Sequence, residues 1–168
     1  GDQSALRVVD INGNYIRSIS GRLCTSVAFS DRNDFSCIGF MDGTYFFLDE
    51  KGCIVMSGRV PGDSVVKGLA ISNNGMFACV HSGNTGRDDL RIINREKNKY
   101  TDLSVRGIHV MKTAINVSDD GTVLFLDTNS VLCLSKKGGT RFRLDIPEKR
   151  PGYSSISFND PLYVVAYT

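Results

Sequence analysis

The stretches "AISNNGMFACV" (residues 70–80) and "NVSDDGTVLFL" (residues 116–126) decide the fold, because both are written in one grammar. Each brings a β-rich segment to Ser, then two polar residues and Gly, then a second apolar run. Asn-Gly and Asp-Gly between such runs are strong hairpin signals. The order recurs elsewhere. "VAFS" at 27, "LAIS" at 69, "INVS" at 115 and "ISFN" at 156 are separated by 42, 46 and 41 residues. The turns behind them read "DRND", "NNG", "DDG" and "DP", and the next apolar runs are "FSCIGF", "MFACVHS", "TVLFLD" and "LYVVAY".

A third and a fourth run close each unit around another turn, in "YFFLDEKGCIVMS", "LRIINREKNKYTDL" and "VLCLSKKGGTRFRL". "DEKG" and "SKKG" put a turn-former first and Gly fourth, as a type I turn with a left-handed residue after it requires. The opening "LRVVDINGNYIRSI" matches this half-unit, with "DING" at its turn. Helical reading fails on the same segments. Apolar residues fall in short runs rich in Val, Ile, Phe and Tyr, not at i, i+3, i+4, i+7. The chain reads as all-β, built from units of four short antiparallel strands, a to d.

A four-stranded unit of about 40–45 residues resembles the blade of a β-propeller, in the broad group of WD-repeat, quinoprotein-type and TolB-like propellers. The likeness covers residues 6–168 and rests on period and turn chemistry. The Gly-His and Trp-Asp signatures of WD repeats are missing, and the chain holds no Trp. The expected organisation is one domain over 1–168, with a half-blade at 6–19, blades at about 26–61, 68–105 and 114–146, and a half-blade at 155–168. The first half-blade supplies strands c and d, the last supplies a and b. Joined, they make one composite blade and remove two open edges. Three arrangements follow: a four-bladed monomer, a homodimer forming an eight-bladed ring through two composite blades, or a part of a longer propeller.

Composition sets outer limits. At 168 residues with 41% hydrophobic and 23% charged residues, the chain can bury a core of ordinary size. A net charge of +2 does not call for nucleic acid. No apolar run nears the roughly 18 residues of a spanning helix, so no membrane partner is expected for this stretch. The opening "GDQSAL" carries no basic segment followed by an apolar one, and no secretory signal is read in it. The five cysteines (Cys24, Cys37, Cys53, Cys79, Cys133) lack CxxC spacing and sit in or beside apolar runs. They are expected to be buried thiols, not zinc ligands. That fits a reducing compartment such as the cytoplasm slightly better than an exported protein.

Sorting loops by propeller faces gives the candidate binding surface. The a–b and c–d turns share one face and are largely acidic. The b–c and d–a loops share the other, which carries Arg22, Arg59, Lys67, Arg87, Arg106, His109, Lys112, Arg150 and Tyr153 among its polar residues. The resemblance to propellers implies partner binding there, over the central channel. The insertion "SGNTGRDD" (82–89) accounts for the longest spacing and is expected to be a loop.

Catalytic signatures are thin. His81 and His109, the only histidines, lie outside any Ser, Cys or carboxylate motif of recognisable spacing. No phosphate-cradling glycine motif occurs, and "SDDG" and "DING" supply too few oxygens for calcium. No catalytic residue, metal or cofactor is assigned. "KKGGTRFR" (136–143) reads as a c–d hairpin with Arg141 and Arg143 out and Phe142 and Leu144 in, not as a nucleic-acid site. The reading is a non-catalytic scaffold propeller that binds a protein. The rival is a carbohydrate- or anion-binding, or catalytic, propeller with its site over the channel. The expected core comprises Val27, Phe29, Ile38, Phe40, Leu69, Ile71, Phe77, Cys79, Ile115, Val117, Leu124 and Leu126.

Overall fold

The computed structural model describes residues 5–31, 34–105, 114–127, 130–146, 155–159 and 162–166, the last two segments as backbone. Arg106, His109, Lys112, Arg150 and Tyr153 lie outside the described residues. The described secondary structure is all strand. An opening half-sheet holds β1 (Ala5–Val9) and β2 (Tyr15–Ser20). The first full sheet holds β3 (Cys24–Phe29), β4 (Phe35–Phe40), β5 (Thr44–Asp49) and β6 (Ile54–Arg59). The second holds β7 (Val65–Ile71), β8 (Phe77–Gly83), β9 (Asp88–Asn94) and β10 (Lys99–Val105). The third holds β11 (Ile115–Val117), β12 (Val123–Asp127), β13 (Ser130–Leu134) and β14 (Thr140–Asp145). A closing half-sheet pairs β15 (Ser155–Asn159) with β16 (Leu162–Ala166). Every sheet is antiparallel and keeps chain order.

The turns form where their residues require them. Gly13, Gly52, Gly75, Gly121 and Gly138 hold φ between 67° and 84°. Each donates its N–H to the carbonyl three residues back, on Asp10, Asp49, Ser72, Ser118 or Ser135, at 2.8–3.0 Å. A side chain at φ > 0 is strained, so Gly is the default there. In "REKN" Asn98 does the same at φ 48°, bonding Arg95. The first residue of the turn also ties it from inside. Asp10 accepts from the N–H groups of Asn12 and Asn14, and Asp49 from those of Lys51 and Cys53.

Alternation along each strand then sends side chains to opposite faces, and neighbouring sheets stack on those faces. Cys37, Tyr45 and Phe47 of the first full sheet meet Val66, Leu69, Ile71, Ala78, Val80 and Ile93 of the second. The second turns Phe77, Cys79, Leu90 and Ile92 to Val117, Val123, Phe125, Leu132 and Leu134 of the third. Leu124, Leu126, Val131 and Cys133 form a core on the far face of the third sheet. On the first sheet's other face, Ile38, Phe40 and Leu48 pack with Ile19, Leu6 and Val8 of the opening half-sheet. Each fully buried aliphatic or aromatic side chain contributes roughly 1.5–3 kcal/mol of hydrophobic stabilisation.

Several expectations change. Nine of the twelve expected core residues are buried, Ile115 is half-buried, and Val27 and Phe29 are 43% and 65% exposed. On that side the described contacts of the opening half-sheet reach Cys24, Ile38, Phe40 and Leu48 but not Val27 or Phe29. Among the described residues, β1–β2 and β15–β16 form two separate two-stranded sheets. Phe142 and Leu144 are exposed, at 37% and 56%, on the outer strand β14. "SGNTGRDD" is not a long loop. Its residues lengthen β8 and β9 to seven residues each and leave a short link at 84–87. The cysteines are free thiols, but only Cys37, Cys79 and Cys133 are buried, while Cys24 is half-buried and Cys53 exposed. No described helix is long and apolar enough to cross a membrane.

Candidate functional site

The b–c and d–a ends of the full sheets gather the charged side chains, and the second sheet holds the most enclosed group. A β-bulge between Val66 and Gly68 displaces Lys67 from regular pairing and re-aims its side chain. Lys67 Nζ donates to Asp88 Oδ1 at 2.6 Å. Asp88 Oδ2 stands 3.1 Å from His81 Nε2, within hydrogen-bonding distance. Relative exposures are 5% for Lys67 and 0% for His81 and Asp88. Phe125 of the third sheet meets the imidazole edge-on at 5.1 Å. Gly83 makes room for the carboxylate, since a Cβ there would run into the Asp88 side chain. The group clasps β7, β8 and β9 at one end. Buried ion pairs of this kind hold a geometry more than they add net stability.

A second network bridges two sheets. Arg91 Nε and Nη2 donate to both oxygens of Asp102 at 2.7 Å, a bidentate fork. Its Nη1 donates to the Arg59 carbonyl of the first sheet at 2.8 Å, and its guanidinium lies 4.0 Å over the Tyr100 ring. The Asp102 hydrogen bond holds Arg91 firmly protonated. Burial pushes the Tyr45 phenol up, opposed by its contact with Arg91.

Several other described cations are paired as well. Arg22 pairs with Asp42 and donates to the Thr44 hydroxyl at 2.7 Å. Partial burial raises the Asp42 carboxyl, but hydrogen bonds from Thr44 and the charges of Arg22 and Arg59 outweigh it, so the net direction is down. Arg87, 65% exposed, donates to Asp89 at 2.8 Å. Arg143 reaches Asp127 at 3.2 Å and the Ser130 hydroxyl at 2.8 Å.

Of the sequence-derived site residues, Arg22, Arg59 and Arg87 are at or near the surface, while Lys67 is sealed inside. The structure brings Lys67 together with His81, not with the arginines. Asp88 and Arg91 carry the two networks and were not singled out by sequence. The available signal was a charge inside the apolar run "LRIIN" with "YTDL" opposite. Among the described residues, no group of three His, Cys, Asp or Glu side chains could hold a metal ion.

Fold and site together define an all-β protein of stacked four-stranded antiparallel sheets, compatible with propeller-like blades, in which two buried charge networks hold strands together. No family model and no curated protein matches the chain. Among solved structures it is similar to a protein of unknown function from Bacteroides caccae, with a TM-score of 0.58 at 15% identity. The alignment covers 99% of this chain and 63% of that one, so the chain spans less than two thirds of that protein's length. In all, 681 solved chains match, so the architecture is common and carries no function of its own.

Proposed function

We propose that the sheets are blades of a β-propeller and that the chain works by binding protein, as a scaffold or recognition module. One observation carries the reading. Lys67 and Arg91 are each held by a carboxylate inside the sheets, whereas Val9, Ile11, Tyr15, Val27 and Phe29 are exposed by 43–100%. Exposed apolar side chains are what protein interfaces draw on. A ligand or catalytic site over the channel has less behind it, because Lys67 is sealed and Arg22 and Arg87 are each held by a carboxylate.

Carbene footprinting tests the reading. The full chain is labelled in buffer and in concentrated cell extract. Protection confined to Val9, Ile11, Tyr15, Val27 and Phe29 in extract is the expected result. Unchanged labelling at all five overturns it.

A further inference from the structure

Asn-Gly occurs twice in the chain, at Asn12-Gly13 and at Asn74-Gly75, and both pairs fill the third and fourth places of the same kind of turn. Gly13 and Gly75 hold φ of 83° and 67°. Each donates its N–H to the carbonyl three residues back, at 3.0 and 2.9 Å. The carboxamides differ. Asn74 Oδ1 accepts from the Met76 N–H at 2.9 Å and from the Ser72 hydroxyl at 2.8 Å. The Asn74 N–H is held by Asp119 Oδ1 of the third sheet at 2.8 Å, and the Phe35 ring lies where a Cβ on Gly75 would be. Asn12 is exposed, and among the described residues its carboxamide makes no hydrogen bond. A Cβ on Gly13 would meet nothing within 4 Å. Lys51, Lys97 and Lys137 take the Asn12 place in the three full sheets and are exposed too, so this openness belongs to the turn itself.

We propose that Asn12 is a self-modification site, where the Gly13 backbone nitrogen attacks the Asn12 side chain and deamidates it. Hydroxide takes the Gly13 N–H proton, the nitrogen bonds to Asn12 Cγ, and the Cγ–Nδ2 bond breaks to release ammonia. Water then opens the succinimide ring. Opening at Cγ gives Asp, whereas opening at the Asn12 carbonyl carbon gives isoaspartate, with the main chain rerouted through Cβ and Cγ. Glycine suits the attack because no side chain hinders its nitrogen. The glycine N–H must leave its carbonyl in both turns alike, but Asn74 must also free its carboxamide from Met76 and Ser72. Asp120 stands in the same place before Gly121, yet it has no ammonia to lose, and Ser118 and Thr122 hold its carboxylate. Either product puts a negative charge at the hairpin tip, two residues from Asp10. Isoaspartate also lengthens the main chain inside a turn closed by bonds from Asp10 to Gly13 and Asn14, so it loosens that end of β1–β2. The site is independent of the protein-binding reading above.

The full chain, folded and in urea, is held at mildly alkaline pH, sampled over time and peptide-mapped by mass spectrometry, with isoaspartate identified by fragmentation. In the folded chain Asn12 should lose ammonia about 10-fold or more faster than Asn74, since each hydrogen bond to be broken at Asn74 slows its attack. In urea the two rates should converge. G13A should suppress the loss at Asn12 while Asn74, in another sheet, keeps its rate. In the isoaspartate fraction, amide exchange should quicken at Asn14, whose N–H is held by Asp10 Oδ1 at 2.8 Å. Equal rates in the folded chain overturn the proposal, as does an Asn12 that reacts more slowly than Asn74. A gap that persists undiminished in urea belongs to the flanking residues and overturns the role of the fold. Loss from G13A at the wild-type rate means hydrolysis by water alone and overturns the attack by Gly13. Unchanged exchange at Asn14 overturns the loosening of the hairpin.

Discussion

The inner strands β3 and β7 carry nearly the same sequence grammar, "VAFS" and "LAIS", and opposite surroundings. Leu69 and Ile71 lie in a core with Cys37, Tyr45 and Phe47, whereas Val27 and Phe29 face solvent. Alternation decides which face a side chain takes. Whether that face is dry depends on which strands the neighbouring sheet contains. In stacked-sheet proteins burial is a property of the pair of sheets, not of the strand.

The largest effect that would sharpen this contrast lies in the second sheet. D88A should cost about 3–5 kcal/mol, measured by urea unfolding, because the Lys67 ammonium loses its carboxylate inside the core. A loss comparable with that of a surface charge would mean that the end of this sheet is open to water. The direct comparison comes next. L69A should cost about 2–5 kcal/mol, and V27A, measured on the monomeric chain, less than about 0.5 kcal/mol. Equal losses at the two positions would erase the difference between the strands.

A smaller effect appears in acid. Partial burial raises the Asp120 carboxyl, but hydrogen bonds from the Ser118 hydroxyl and from Thr122, with the Arg141 charge, outweigh it and bring it down to about 2. A depressed carboxyl adds stability that is present above its unfolded value of about 4 and is lost as pH falls through the folded one. D120N should therefore flatten the stability profile between about pH 4 and pH 2, and only slightly, because the side chain is largely solvated. An unaltered acid limb would show that this turn does not contribute. The mildest test is thiol labelling. Cys53 should react with a thiol reagent in the folded chain, while Cys37, Cys79 and Cys133 wait for unfolding. Burial pushes the Cys37 and Cys79 thiols up, which slows them further.

Strands and turns were legible because their signals are local. Asp10 to Gly13 and Ser118 to Gly121 specify a turn within four residues, and alternation specifies a strand within six. The networks were not legible for the opposite reason. Lys67 meets Asp88 across 21 positions and Arg91 meets Asp102 across 11, and both depend on register and on a bulge that no single residue announces. Val27, Phe29 and Leu144 face solvent because their exposure is set by what the adjoining sheet places over them, which no local signal states. His81, outside any sequence motif, is buried against Asp88 and Phe125.

The cores lie between neighbouring sheets, and the links that cross, such as Asn74 to Asp119 and Arg91 to the Arg59 carbonyl, join adjacent sheets as well. Mechanically, such a chain is a row of plates glued face to face. A pull applied to its two ends strips one plate at a time, beginning with the half-sheets, which have only two described strands each to hold. Under tension the middle plate, held on both faces and clasped by Lys67 and Asp88, is the last to let go.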